Sequence, residues 1–217
     1  SKRSGPAGFI SHSGSLANIM GRIGPQKGIY FSKAVSLGNE CDLTAADLLT
    51  YLGDDPETTV IGAYLEGIKN GPAFLKALKN ASKKKPVVLW KVGLTPEGNQ
   101  AAASHTGALG GSQEIWNAVV QQGGAISVKG FDILLDMLMG ISLLSPNLGD
   151  RMAILSGPGG LAVAAAEACG NAGLRLAEIS QETRSILAEF IPPTGTSLRN
   201  PIDVGLSASL EIQIYTR

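Results

Sequence analysis

The sequence predicts an α/β fold built on a parallel sheet. Short apolar segments alternate with helical segments along the 217-residue chain. Segment 58–65 is apolar nearly throughout, which is typical of a strand covered by helices on both faces. Segment 74–81 places its apolar residues three and four positions apart, which is the period of a helix. Strands and helices that alternate at this spacing form βαβ units.

The same pattern assigns the elements of the first two thirds of the chain. It predicts strands at 8–11, 29–36, 58–65, 87–92 and 125–128, and helices at 15–22, 43–52, 74–81, 113–121 and 133–144. The glycine-containing stretch 93–111 is predicted to be one long loop. Ligands of such folds bind beyond the carboxyl ends of the strands, so the loops there are the places to look for a site.

A polar break at 145–150 separates two domains, which we place at 1–147 and 148–217. After the break the pattern predicts strands at 151–155 and 174–179 and helices at 161–172 and 183–190, before Pro192 and Pro193 end the last helix. Two strands and two helices are too few for a sheet covered on both faces. We therefore expect the second domain to be incomplete and the chain to be an excerpt of a longer protein.

Composition excludes several classes of function. Basic and acidic residues number 18 each, so no positive excess is present to bind nucleic acid. No apolar run approaches the roughly 20 residues that span a bilayer, and no signal peptide is visible. Two isolated cysteines predict neither a disulfide framework nor a metal site. These observations predict a soluble, cytoplasmic protein that binds no metal through this chain.

Two glycine-containing loops each connect a strand to a helix. The first carries Ser13, Gly14 and Ser15, whose type and position suit either a phosphate site or an ordinary serine N-cap. The second contains Gly159 and Gly160. Its residues also fit a dinucleotide fingerprint made of Gly157, Gly159 and Ala162, with Glu178 as the acid that binds the ribose. This fingerprint keeps a NAD(P)-dependent oxidoreductase open as an alternative function.

His105 lies among small residues in the predicted loop 93–111, which leaves its ring accessible to a ligand. A neutral imidazole can attack phosphorus or carry a proton, although a plain surface histidine is the alternative. Glu66 ends an almost wholly apolar strand at the carboxyl edge of the sheet. Its carboxylate could accept a hydrogen bond from one ring nitrogen and leave the other nucleophilic.

Four ordered motifs together resemble the nucleoside-diphosphate-forming acyl-CoA ligases, the superfamily of succinyl-CoA synthetase and ADP-forming acetyl-CoA synthetase. The motifs are Ile10-Ser11-His12-Ser13-Gly14, Val35-Ser36-Leu37-Gly38-Asn39, Tyr64-Leu65-Glu66-Gly67-Ile68 and Ala103-Ser104-His105-Thr106-Gly107-Ala108. The resemblance implies two flavodoxin-like domains. The first carries a phosphohistidine, and the second is cut short here. Position 12 departs from the family, whose members commonly carry glutamine or arginine there.

The resemblance implies a chemistry for these residues. In this family phosphate cleaves an acyl-CoA to an acyl phosphate, and the phosphoryl group then passes to a histidine and on to ADP. The resemblance assigns that histidine to His105 and its stabilising carboxylate to Glu66. The starts of two helices, at Ser13-Gly14-Ser15 and at Gly159-Gly160, would hold the phosphoryl group from two sides. Gly38 and Asn39 are tentative contributors to the acid-binding pocket.

The same resemblance sets the expected ligands and partners. It implies CoA and ATP or ADP with Mg²⁺, bound mainly by CoA-binding and ATP-grasp domains that this chain lacks. Those domains would be fused to it or supplied by partner chains in an oligomer, and this chain by itself would be inactive. The carboxylic acid is left open, since the family uses acetate, branched-chain, dicarboxylic and aryl acids. A non-catalytic phosphate-binding regulatory module of the same fold is a further alternative.

Overall fold

The computed structural model describes residues 3–106, 111–144 and 149–205. The chain divides into two compact units, Ser1–Pro146 and Asn147–Arg217. Within the described ranges, no helix is both long and apolar enough to cross a membrane.

The first unit is built on one parallel sheet. Its strands are β1 (Ala7–Ser11), β2 (Phe31–Ser36), β3 (Val60–Leu65), β4 (Val87–Lys91) and β5 (Ile126–Val128). They pair in the order β2-β1-β3-β4-β5, and every pair is parallel. This is the flavodoxin-like order, so the predicted fold class is confirmed.

Most helices of this unit begin at a residue whose side chain caps the first turn. They are α1 (Gly14–Ile23), α2 (Ala45–Asp54), α3 (Gly71–Ser82), α4 (Pro96–Thr106), α5 (Gln113–Gly123) and α6 (Phe131–Leu143). A short 3₁₀ turn, Gly24–Lys27, follows α1. Ser13, Thr44, Asn70 and Ser112 each accept a hydrogen bond from an amide in the first turn of the helix that follows.

The predicted loop 93–111 is wrong over most of its length, because α4 occupies its middle. Thr95 begins that helix: its Oγ1 accepts from the Gly98 amide at 3.0 Å, and its carbonyl accepts from Asn99 at 2.8 Å. Pro96 follows at the first helical position, where a missing N–H is harmless. The glycines suggested a flexible loop, but only Gly98 falls inside the helix, and three successive alanines favour helical structure.

Helices cover both faces of the sheet. On one face α2, α3 and α5 bury a cluster that includes Leu49, Leu78 and Trp116. On the other face α1 and α6 bury a second cluster that includes Met20 and Leu138. The apolar character of β3 is explained by this double coverage.

Gly62 in β3 allows α6 to approach the sheet. A Cβ atom at this position would lie 2.8 Å from Leu138 Cδ1 and 3.3 Å from Phe9 Cδ2. Such contacts are too short for real side chains, so the absence of a side chain is what permits this packing.

The second unit has shorter strands. Its elements are β6 (Arg151–Met152), β7 (Leu155–Ser156), α7 (Gly159–Asn171), β8 (Arg175–Leu176), α8 (Gln181–Ala188) and β9 (Ile202–Asp203). β6 pairs with β8 and β7 with β9, both in parallel. The predicted strand 151–155 is therefore wrong as a single element, the predicted strand 174–179 is reduced to two residues, and β9 was not predicted.

The Asn200 side chain explains this division. Its Oδ1 accepts from the Ile154 amide at 3.0 Å, and its Nδ2 donates to the carbonyls of Met152 and Ala177 at 2.7 and 2.8 Å. One side-chain amide thus takes the hydrogen bonds that a continuous pair of strands would make with each other.

Candidate functional site

The candidate site lies at the carboxyl edge of the sheet in the first unit. In the order β2-β1-β3-β4-β5, the connection that leaves β1 and the connection that leaves β3 cross to opposite faces of the sheet. Ligands of such sheets bind at this point. Residues 12–15 follow β1, the turn 37–41 follows β2, and Glu66 follows β3. The fold therefore brings three of the predicted motifs to one edge.

The start of α1 presents amide groups at this edge. Ser13 Oγ accepts from the Leu16 amide at 3.3 Å, while the Ser13 amide donates to Ser11 Oγ at 3.0 Å. Because the Ser13 amide is already bonded, the donors offered to an anion are those of Gly14 and Ser15. Amides of a first turn have no acceptor within their helix, and both of these residues are exposed.

Glu66 is a buried carboxylate, only 7% exposed. Its Oε1 accepts a hydrogen bond from the Tyr64 hydroxyl at 3.1 Å. Its Oε2 is buried and has no hydrogen-bond partner among the described residues. An unsatisfied buried carboxylate oxygen is costly, so this oxygen is suited to accept a hydrogen bond from a group that enters the site.

Tyr64 and Lys91 both donate hydrogen bonds to Glu66, the first to its carboxylate and the second to its backbone carbonyl. Burial, together with the Glu66 charge and hydrogen bond, raises the pKa of Tyr64 to about 12, so its hydroxyl remains a donor. Lys91 Nζ donates to the carbonyls of Glu66, at 3.0 Å, and Val92, and burial lowers the pKa of Lys91. Lys91 thus joins the ends of β3 and β4 under the site. Sequence reasoning missed it, although a lysine at the end of an apolar strand was a usable signal.

His12 lies next to Glu66, between the ends of β1 and β3. The Glu66 amide donates to His12 Nδ1 at 3.0 Å, and His12 Nε2 lies 3.1 Å from Glu40 Oε1. From the sequence, His12 was noted as a departure from the family motif without an assigned partner, and Glu40 was not identified. No group of side chains that could hold a metal ion occurs within the described residues.

Gly38 and Asn39 are exposed in the turn after β2. The Leu37 amide donates to the Ser11 carbonyl at 2.8 Å, which ties this turn to the end of β1. Gly38 has a φ of 54°, a value that glycine adopts without strain. The fold places both tentative acid-binding residues at the same edge as Glu66.

His105 lies in the last turn of α4, the helix that follows β4. Its side chain lies outside the described part of the structure, as do residues 107–110 of the same motif. A helix rather than a long loop therefore carries this histidine, and its distance from Glu66 stays untested.

Gly159 and Gly160 form the first turn of α7 in the second unit, as expected. A Cβ atom on Gly159 would lie 2.7 Å from Asp203 Oδ2, so a carboxylate lies beside this helix start. That negative charge occupies the surroundings where the helix dipole favours an anion. This contact was not predicted, because Asp203 lies far from Gly159 along the chain.

The comparisons with known proteins agree with these motifs. The family model of the succinyl-CoA ligase like flavodoxin domain matches residues 4–141. The chain belongs to this family. The match covers all five strands of the first unit, so the resemblance seen in the four motifs is confirmed.

Longer relatives share most of this chain. Subunit alpha of the ADP-forming acetate–CoA ligase II of Pyrococcus furiosus is 39% identical over 95% of this chain and 45% of its own length. The ADP-forming 4-hydroxybutyrate–CoA ligase of Nitrosopumilus maritimus is 41% identical over 93% of this chain and 29% of its own length. The chain therefore spans less than half the length of these relatives.

A solved structure has the same fold. Acetyl-coenzyme A synthetase 1 of Ca. Korarchaeum cryptofilum, in complex with phosphate and ADP, superposes with a TM-score of 0.83 at 33% identity. The superposition covers 94% of this chain and 44% of that one.

Proposed function

We propose that this chain is the phosphohistidine-carrying part of an ADP-forming acid–CoA ligase, with His105 as the phosphoryl carrier and Glu66 as its orienting carboxylate. The observation that carries the proposal is the buried Glu66 Oε2, which has no partner within the described residues. Family membership over residues 4–141 and the naming of two relatives as ADP-forming ligases support it.

In the proposed reaction the phosphoryl group passes through this chain. ATP phosphorylates His105, and the phosphohistidine then transfers its phosphoryl group to the carboxylic acid. CoA displaces phosphate from the resulting acyl phosphate, which gives the thioester. Glu66 Oε2 accepts a hydrogen bond from the protonated ring nitrogen of His105, so that the other nitrogen carries the electron pair that attacks phosphorus.

The start of α1 stabilises the transferred group. The amides of Gly14 and Ser15 donate to phosphoryl oxygens, and the positive end of the helix dipole favours their charge. Gly159 and Gly160 are proposed as the second side of this cradle. Asp203 beside Gly159 has to move away before an anion binds there.

The proposed ligands extend beyond these residues. CoA, ATP or ADP with Mg²⁺ and a carboxylic acid are the expected ligands, and no residue described here is assigned to CoA or the nucleotide. Gly38 and Asn39 are proposed to contact the acid. A cytoplasmic, oligomeric enzyme completed by other domains or partner chains stays a prediction.

The oxidoreductase alternative is disfavoured by the comparisons. The family model of a succinyl-CoA ligase like domain matches residues 4–141, and two relatives are named ADP-forming CoA ligases. A regulatory module without catalysis remains distinguishable by experiment, since the complete protein would then form no acyl-CoA.

The test is phosphorylation of the complete enzyme by labelled ATP and Mg²⁺. We expect one acid-labile, base-stable phosphate on the peptide that contains His105. His105→Ala should abolish this label. Glu66→Gln should slow its formation roughly 10²-fold, the scale of removing one oriented partner of a catalytic group.

Glu114→Gln is the matched control, because Glu114 is an exposed carboxylate in the first turn of α5. Labelling in this variant should equal that of the unmodified enzyme. Retention of the labelled peptide in the His105→Ala enzyme would overturn the proposal.

A further inference from the structure

His12 is a buried imidazole with both ring nitrogens bonded. The residue is 9% exposed, and the Glu66 amide donates to its Nδ1 at 3.0 Å. A backbone amide can only donate, so Nδ1 carries no proton and the ring proton resides on Nε2. Nε2 therefore donates to Glu40 Oε1 at 3.1 Å. Contacts from both sides thus fix the tautomer.

Glu40 is the second unusual residue in this chain of bonds. It is 7% exposed and has a φ of 54°, which is strained for a side chain of this size. Its Oε1 also accepts from the Ala45 amide at 2.7 Å, at the start of α2. Its carbonyl accepts from Lys69 Nζ at 2.8 Å. The turn after β2 is therefore held by bonds at both the side chain and the backbone of Glu40.

These bonds join two parts of the site that the proposed function uses for different ligands. Glu66 belongs to the phosphoryl carrier, whereas Gly38 and Asn39, directly before Glu40, belong to the proposed acid pocket. His12 is the side chain that contacts both Glu66 and Glu40. A shift of the Glu66 end of β3 or of the turn 37–41 is transmitted to the other through the rigid imidazole ring of His12 rather than through a flexible side chain.

We propose that His12 is a positioning residue that holds the Glu66 end of β3 and the turn 37–41, which carries the proposed acid-binding residues, in fixed geometry. This inference rests on the proposed function. His12 does not itself touch the phosphoryl group. Its Nδ1 bond positions Glu66, and its Nε2 bond positions Glu40, so the two bonds affect different kinetic constants.

Two variants of His12 separate the bonds. In His12→Asn, Oδ1 takes the place of Nδ1 and still accepts from the Glu66 amide, but the shorter side chain does not reach Glu40. In His12→Ala both bonds are lost. We expect both variants to raise KM for the acid roughly tenfold, the scale of one hydrogen bond to a charged group. Only His12→Ala should also slow phosphorylation of His105.

Glu40→Ala removes the same Nε2 bond from the other side, together with the bond from the Ala45 amide. It should raise KM for the acid at least as much as His12→Asn does. The double variant should be no worse than Glu40→Ala, since His12→Asn then removes no further bond to Glu40. Equal kinetics of His12→Asn and His12→Ala, or an unchanged KM in both His12→Asn and Glu40→Ala, would overturn the inference.

The tautomer gives a readout that needs no activity. The chain has two histidines, so His105→Ala leaves His12 as its one imidazole. In this ¹⁵N-labelled chain we expect a protonated Nε2 and an unprotonated Nδ1 at neutral pH. The opposite tautomer, or rapid averaging of the two, contradicts the inference. This result is independent of whether His105 is phosphorylated, so the two proposals can fail separately.

Discussion

The two units follow the same order of strand, glycine-containing turn and helix, but they bury apolar side chains to different extents. In the first unit Leu138 of α6 is fully buried against the sheet. In the second unit α7 leaves Leu161 64% and Val163 67% exposed. The local pattern is enough to define a helix in both places. Tertiary burial, which supplies most of the stability of a helix in a protein, differs between them.

The largest expected difference is in the free energy of unfolding lost when a leucine of α6 or a leucine of α7 is replaced by alanine. Leu138→Ala removes a fully buried side chain of α6 that packs on the sheet, and it should lower the free energy of unfolding by about 2–5 kcal/mol. Leu161→Ala, at an exposed position of α7, should change it by less than about 0.5 kcal/mol. Urea unfolding followed by circular dichroism measures both. Equal losses would mean that α7 is covered as well as α6.

A smaller effect should separate the glycines that begin the two helices. A Cβ atom on Gly14 would meet Ser36 Oγ at 3.5 Å, an ordinary contact, whereas one on Gly159 would meet Asp203 Oδ2 at 2.7 Å. Gly159→Ala should therefore destabilise the protein by about 0.5–1 kcal/mol, the scale of displacing one side chain from its rotamer, because the Asp203 carboxylate has to shift. Gly14→Ala should leave stability unchanged or slightly raised.

Thermal unfolding of both variants tests this difference. Asp203→Ala in the Gly159→Ala background is the control, because it removes the atom in conflict. If the double variant is no more stable than Gly159→Ala, the conflict with Asp203 is not the cause.

The smallest effect concerns pH and an ion pair of the first unit. Lys33 donates to both carboxylate oxygens of Asp55 at 2.8 Å, and Thr58 donates to Oδ2 at 2.6 Å. The Lys33 bond, followed by the Thr58 bond, lowers the pKa of Asp55. Its contribution to stability is therefore present above the unfolded pKa of about 3.9 and is lost as the pH falls toward the lower folded pKa.

Urea midpoints at about pH 6 and about pH 3 measure this linkage, with the pH window set by the carboxyl pKa. Asp55→Asn should show a smaller loss between the two pH values than the unmodified chain.

In the second unit the pair of Arg175 and Asp150 has side chains 70% and 55% exposed, so Arg175→Ala should change stability little at neutral pH. If Arg175→Ala lowered the free energy of unfolding as much as Lys33→Ala does, the expected difference between the two ion pairs would be contradicted.

The sequence predicted the first unit well and the second less well. In the first unit the strands are long enough for their apolar pattern to be read, and each predicted strand is present with shifted ends. In the second unit strands of two residues carry too little pattern. Their boundaries depend on the Asn200 side chain, which bonds to residues far from it in sequence. Helix α4 was missed because the glycines around it outweighed its alanines and its Thr95 cap.

The site was predicted in its parts rather than in its connections. Ser13 and Glu66 were selected because each follows a strand and must reach the same edge of a parallel sheet, whereas Gly38 was selected from the family resemblance. Lys91 and Glu40 were not found. Their roles depend on backbone atoms of other strands and helices, which residue type alone does not reveal.

The sequence by itself determined the alternation of strands and helices, the capping residues and the family, because these features are encoded by neighbouring residues. Only the tertiary structure decided that Glu66 keeps a buried oxygen without a partner among the described residues and that His12 bonds to both Glu66 and Glu40. Those partners lie 54 and 28 positions from His12 along the chain. Hydrogen bonds over such separations form only when the order of strands in the sheet brings their ends together.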